Sequence, residues 1–148
     1  MLELKNYFND IIKLNPSFGS FLGYRKYDSD YENNLSPEHR KKYKAILQKY
    51  KNTKDKVLRY EVKMGLQGLK YKLYQIPFAS HNNEIINFTF FNQTFYPLKT
   101  ARDYEYLVRR HEKFMEYIDS GIANMREGMK CEMVLPKIIC EKMITGLE

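Results

Sequence analysis

The pair His111-Glu112 has the clearest potential for chemistry, because it begins like the zinc motif H-E-x-x-H. In that motif two imidazoles one helical turn apart hold the metal, and the glutamate activates water. The fourth residue after His111 is Met115, so the second imidazole is missing. His111 falls instead in a helical row of apolar residues, and this position predicts a hydrogen-bonded histidine of the core.

The remaining histidines and the two cysteines form no recognisable site. His39 falls in the first turn of a basic helix and is expected at the surface, and His81 lies in an Asn-rich stretch without a visible partner. Cys131 and Cys140 have neither CxxC spacing nor a histidine at zinc spacing, so we expect reduced, partly buried thiols. The G-x-S-x-G, P-loop and dinucleotide-binding patterns are also missing from the sequence. We therefore predict no catalytic residue, no metal and no cofactor, with a zinc site assembled from other ligands as an alternative.

Two groups of carboxylates have simpler explanations than catalysis. The first group alternates along residues 28–32, but it lacks the Gly and the distal Glu that a calcium-binding hand requires. The second group falls on the polar face of a long predicted helix, where pairing with Arg109 one turn away is expected. This second group comprises Glu105, Glu112 and Glu116.

The positive charge is concentrated in residues 36–75. This stretch carries twelve Lys and Arg against three Asp and Glu, a net of +9, whereas the rest of the chain has a net of −2 within the total of +7. Most of these charges are Lys on the polar side of two predicted helices, and no nucleic-acid motif accompanies them. We therefore expect a solvated helix surface or one that docks on an acidic protein, with nucleic-acid or polyanion binding as the alternative. The candidate contacts are Arg40, Lys41, Lys44, Lys51, Lys56 and Arg59.

Hydrophobic periodicity predicts an all-α protein, a single domain over residues 1–148. Helix starts are indicated by Ser36-Pro37-Glu38, by Thr53, by the capping-box pair Thr100 and Asp103, and by Pro136. The expected fold is an irregular bundle of four to five helices, with an aromatic-rich loop segment at residues 77–99 between the third and fourth helices. Residues 16–35 are expected to form a loop.

Three of these helices have clear apolar stripes. The first, over residues 4–14, is expected to bury Phe8, Ile11 and Ile12. The third is expected to run unbroken for about six turns to Ile76, with Gly65 and Gly68 marking close approach of a neighbour. The fourth is expected to end at Gly128 and to bury a stripe made of Tyr104, Leu107, His111, Phe114, Met115, Ile118, Ile122 and Met125.

Several residues in order resemble a bacterial family called domain of unknown function 885. In the C-terminal half the similarity runs through Pro97, Thr100, Asp103, Tyr106, Leu107, Tyr117, Asp119, Ile122, Met125, Arg126, Gly128, Pro136 and Leu147, with Arg109 or Arg110. In the N-terminal half it is looser, through Asn15, Pro16, Gly23, Tyr27, Asp28, Leu35 and Ser36. The resemblance covers most of the chain.

The resemblance implies a long, helical, zinc-metallopeptidase-like protein whose motif H-E-x-x-x-G-H lies in its later half. This chain contains no such motif, so no catalytic residue is carried over, and Asp119 and Arg126 are the candidates for lining a groove. The expected role is a non-catalytic scaffold or subunit that packs on a metallopeptidase-like partner or on its own copies. The sequence shows neither a signal peptide nor a membrane span, so a cytoplasmic protein without membrane contact is expected.

Overall fold

The computed structural model describes residues 2–76 and 98–145, and these residues form helices, turns and loops without a strand. The prediction of an all-α fold is thus confirmed. Two 3-10 turns lie at Arg25–Tyr27 and Leu73–Gln75. The α-helices are α1 (Leu2–Leu14), α2 (Pro16–Phe21), α3 (Pro37–Tyr50), α4 (Lys56–Lys70), α5 (Ala101–Lys130) and α6 (Lys137–Thr145).

The helix starts follow local chemistry with one correction. The Ser36 hydroxyl accepts a hydrogen bond from the backbone N–H of His39 at 3.1 Å, and Pro37 occupies the first turn of α3, as predicted. The predicted cap of α4 at Thr53 is wrong by two residues. Asp55 accepts from the backbone N–H of Leu58, whereas the Thr53 hydroxyl donates to Glu3 of α1.

The main core lies between α1, α3 and α4. Leu47 and Leu58 are essentially inaccessible, and the rings of Tyr7 and Tyr50 meet edge to face with centroids 5.3 Å apart. Tyr7, rather than the predicted Phe8, is the aromatic residue that α1 buries, because Phe8 stays partly exposed. Ile12 is buried as predicted.

Gly65 allows α3 and α4 to approach closely. A Cβ atom at this position would lie 2.7 Å from the Tyr43 hydroxyl and 2.8 Å from Leu47, so the sequence-based explanation holds here. It does not hold for Gly68, where the nearest atom, on Leu73, would be 3.8 Å away.

The predicted six-turn helix through Ile76 is shorter in the structure. Helix α4 ends at Lys70, and Lys72 adopts a left-handed conformation with a φ of 54°. This residue redirects the chain into the second 3-10 turn, which contacts α5. As a result Leu73, expected inside, is half exposed, and Gln75 is buried in its place.

Two other regions differ from the sequence prediction. Residues 16–35 are not only loop, because they contain α2 and the first 3-10 turn. Helix α5 continues two residues beyond Gly128, and both Cys131 and Cys140 are free and exposed rather than partly buried. The aromatic-rich segment at residues 77–99 and His81 fall, apart from residues 98 and 99, outside the described residues.

Candidate functional site

The 30-residue helix α5 begins with a complete capping box. The Thr100 hydroxyl accepts from the backbone N–H of Asp103, and the Asp103 carboxylate accepts from the backbone N–H groups of Lys99 and Thr100. Hydrogen bonds from Thr100 and from these N–H groups lower the pKa of Asp103 to about 2. The predicted cap is therefore confirmed, and Asp103 is held as a carboxylate.

The buried face of α5 is polar and small rather than apolar. Its members recur at spacings of seven, seven, four, three and four residues, which is the period of one helix face. They are Asp103, Arg110, Tyr117, Gly121, Asn124 and Gly128. The predicted inward stripe is wrong for Tyr104 and Met115, which are exposed. Its other six members are half-buried beside the polar face, and two of them, Phe114 and Ile118, pack against Tyr117.

Charged side chains join the first half of α5 to the first 3-10 turn. Arg25 donates to Asp103 Oδ1 at 2.7 Å and to Asp28 Oδ2 at 3.1 Å, so it bridges two carboxylates. Arg110 donates from Nη1 to the backbone carbonyl of Asp28 at 2.6 Å. The Asp28 carboxylate also accepts from the hydroxyl of Ser20.

Asn124 ties the second half of α5 to the segment before α3. Its Nδ2 donates to the Leu35 carbonyl at 2.8 Å, and its Oδ1 accepts from Arg40 at 3.1 Å. Arg40 also donates to Leu35 at 2.6 Å and lies over the Tyr74 ring at 4.0 Å. The Arg40 guanidinium group thus connects α3 with the segment before it, with α5 and with the second 3-10 turn, although the sequence suggested Arg40 for polyanion binding.

Gly128 and Glu127 dock the end of α5 on the second 3-10 turn. A Cβ atom at Gly128 would lie 2.6 Å from the carbonyl oxygen of Met133 and 2.9 Å from that of Gln75. Beside it, Glu127 accepts from Gln75 Nε2 at 2.8 Å, and this bond lowers the pKa of Glu127. Gly128 therefore serves close packing rather than helix termination.

The opposite, outward face of α5 carries large apolar side chains. Tyr104, Val108, Met115 and Met129 are 55–69% exposed, and we call them the α5 stripe. Helix α6 adds exposed Ile138 and Ile144. Exposed apolar rows of this length are uncommon on an isolated domain and are typical of protein interfaces.

An acidic row runs beside the α5 stripe. It consists of Glu105, Glu112, Glu116 and Asp119, which are all exposed. None of them forms an ion pair with another described residue, so the predicted pairing with Arg109 is absent from the described part of the chain. Asp119, suggested for lining a groove, belongs to this row, and Arg126 is likewise exposed on α5.

The other basic candidates differ in whether their side chains form hydrogen bonds within the chain. Lys41, Lys44, Lys51 and Lys56 are exposed. Arg59 donates to the carbonyls of Thr53 and Lys54, which orders its guanidinium against the loop before α4. A groove of about 370 Å³ gathers Lys51 and Arg59 with Lys63 and Lys70, two lysines that the sequence reasoning had not selected.

A second concavity, a cleft of about 620 Å³, lies between α1, α3, α4 and the second 3-10 turn. It contains His39, which is half-buried with Nε2 2.9 Å from Asn15 Oδ1, so the expected surface position is wrong. Burial lowers the pKa of His39, and burial raises the pKa of Tyr7 in the same cleft to about 12. Both groups are therefore neutral near pH 7, and the charged residues of the lining are Arg40 and Glu61.

His111 is hydrogen-bonded, as predicted, but within its own helix. Its Nδ1 lies 2.9 Å from the Leu107 carbonyl oxygen. Within residues 2–76 and 98–145, no three His, Cys, Asp or Glu side chains converge in a way that would hold a metal ion. The described residues thus supply no set of ligands for zinc.

Comparison with known proteins gives no relative: no family model, curated protein or solved structure matches this chain. The resemblance to domain of unknown function 885 accordingly stays a prediction. Among the described helices, none has the length and apolar content needed to cross a membrane.

Proposed function

We propose that this chain is a non-catalytic helical subunit, the N-terminal part of a metallopeptidase-like protein, that docks on a protein partner through the α5 stripe. The observation that carries the proposal is the orientation of α5. Its buried face makes an ion pair and hydrogen bonds within the chain, while the α5 stripe stays exposed to water. An apolar face of this kind gains free energy when another surface covers it, at about 25 cal/mol for each Å² removed from water.

The internal contacts of α5 argue that this orientation is specific. Arg110 and Asn124 reach backbone carbonyls of Asp28 and Leu35, which lie 82 and 89 positions earlier in the chain. Turning the apolar stripe inward would break these hydrogen bonds, separate Asp103 from Arg25, and leave the Asp28 carbonyl without the donor that Arg110 supplies. Because unpaired buried polar groups are costly, the exposed stripe cannot be relieved by rotation of the helix.

The test begins with the DNA that follows codon 148. An open frame that encodes H-E-x-x-x-G-H supplies the partner, and the two polypeptides are then co-expressed and co-purified. We expect a stable complex that the double variant Val108→Lys, Met115→Lys weakens at least tenfold, since each lysine places a charge in the apolar contact.

The matched control is Leu2→Lys, Leu4→Lys, which introduces the same two charges at exposed apolar residues of α1, away from the α5 stripe. We expect this variant to bind like the natural chain. A complex that tolerates both lysines on α5, or a second polypeptide that never binds, would contradict the proposal.

A further inference from the structure

Helix α4 carries two exposed rows on its outward side. The apolar row consists of Val57, Tyr60, Met64 and Tyr71, which are all exposed. The basic row beside it consists of Arg59, Lys63 and Lys70. Both rows follow helical spacing, so each lies along one line of the helix surface.

The basic row borders the groove of about 370 Å³. Its lining includes the apolar side chains of Val62 and Leu66, the amide of Gln67, and four cations from the end of α3 and from α4. No carboxylate contributes to this lining. A ligand that fits this surface carries negative charges beside an apolar face.

Such a surface exists on the same chain, at the outward side of α5. There the α5 stripe runs beside the acidic row of Glu105, Glu112, Glu116 and Asp119. The apolar row of α4 extends over residues 57–71, about four helical turns. On α5 the corresponding part is the acidic row with Tyr104, Val108 and Met115, which extends over residues 104–119 and leaves Met129 beyond it. The two surfaces therefore match in length, in apolar content and in the sign of charge.

The order of the rows around each helix also matches. Following the turn of the helix from residue to residue, the basic row precedes the apolar row on α4, whereas the acidic row follows the apolar stripe on α5. When the two helices run parallel, a row that precedes the apolar contact on one helix faces a row that follows it on the other, as the g and e positions of parallel coiled coils do. The basic row of α4 and the acidic row of α5 therefore face each other. In the antiparallel arrangement they would lie on opposite sides of the contact.

We propose that the occupant of the α4 surface is α5 of a second copy of this chain, packed parallel to it. This inference rests on the proposed role of the α5 stripe as a docking face and names one partner for it. The contact joins two different surfaces. Two copies that each use both surfaces form a two-fold symmetric dimer, and copies that use them with different neighbours form a ring or an open chain.

The experiment measures self-association of the full chain by sedimentation velocity over a micromolar concentration series at low and high salt. We expect association that weakens with salt, since the rim pairs are exposed. The variant Lys63→Glu, Lys70→Glu should associate at least tenfold more weakly, and so should Glu112→Lys, Asp119→Lys, because each places like charges opposite one another. The control Lys41→Glu, Lys44→Glu changes the net charge equally on α3 and should associate normally.

The decisive step mixes the two reversed variants. Each then meets a complementary surface in the other, so the mixture should recover the association that each variant lacks alone. A chain that is monomeric throughout the series, or a mixture that does not recover, overturns the inference.

Two further results separate this inference from its rivals. If the chain alone stays monomeric while the co-expressed polypeptide still depends on Val108 and Met115, the proposed function stands and self-association is wrong. If the four groove cations instead bind a single-stranded oligonucleotide with steep salt dependence and the protein does not self-associate, the occupant is a polyanion and the inference also fails.

Discussion

Two regions of this molecule are held together by different physics. The core between α1, α3 and α4 is made of buried Leu, Val and Tyr side chains. Among the described residues, the joint between α5 and the preceding segments uses Asp103, Arg110 and Asn124, together with an apolar cluster around Tyr31, Leu35 and Tyr117. The described contacts of the first region are apolar, whereas those of the second combine hydrogen bonds and charge with apolar packing.

The difference follows from what each helix packs against. Helices α3 and α4 satisfy their backbone groups internally and can meet through side chains alone. Helix α5 packs on residues 25–35, where Arg110 donates to the carbonyl of Asp28, and Asn124 donates to the carbonyl of Leu35 together with Arg40 of α3. A loop can be covered only by a surface that supplies such donors, so the inward face of α5 is polar.

The largest expected effect comes from the apolar region. Leu47→Ala removes a side chain with no exposed surface and should lower the free energy of unfolding by about 2–5 kcal/mol through lost burial and the cavity it leaves. Chemical denaturation measures the change. Leu2→Ala, at a residue 75% exposed, should change it by less than about 0.5 kcal/mol, and similar losses at both sites would refute the assignment of the core.

A smaller effect is expected where α5 docks on the second 3-10 turn. Gly128→Ala should cost about 1–3 kcal/mol, because its Cβ would press on two backbone carbonyl oxygens that cannot easily move. Gly68→Ala has room, and in a helix it should stabilise by up to about 1 kcal/mol. Thermal unfolding of the two variants measures the predicted loss and gain of stability. A Gly128→Ala protein as stable as the natural one would show that α5 does not pack on the second 3-10 turn as closely as described.

The smallest effect is a pH dependence confined to the polar joint. The pKa of Asp103 falls from 3.8 to about 2 in the folded chain, so its contribution is present above pH 4 and is lost as the pH falls towards 2. Asp103→Asn should therefore destabilise the protein at neutral pH and flatten the loss of stability between pH 4 and pH 2. Denaturation curves at several pH values measure this slope.

Glu32 provides a control of opposite sign. Burial raises the pKa of Glu32 in the folded chain, although the Ser17 N–H donates a hydrogen bond to its carboxylate. Ionisation of Glu32 at neutral pH therefore lowers the stability of the folded state. Glu32→Gln should raise stability at neutral pH and leave it unchanged in acid. If Asp103→Asn and Glu32→Gln shift the curve in the same direction, the electrostatic account of the joint is incorrect.

Local features were predictable because they depend on neighbours in sequence. The caps at Ser36 and Thr100 follow from residues within a few positions of one another. Gly65 was singled out by its place in an apolar stripe, although the residues that it approaches, Tyr43 and Leu47, lie on α3. The candidate site was less predictable. The groove was half anticipated through Lys51 and Arg59. Lys63 and Lys70 share one face of α4 with Arg59, and Lys51 joins them because the end of α3 lies beside that face.

The sequence by itself determined an all-α chain, where most of its helices begin, and that α5 has one apolar and one polar side. Only the tertiary structure decided which side of α5 faces inward. Periodicity defines the two faces of a helix, but burial depends on the surface that the helix meets. The partners of Arg110 and Asn124 are backbone carbonyls more than eighty positions away, and no local pattern reports them.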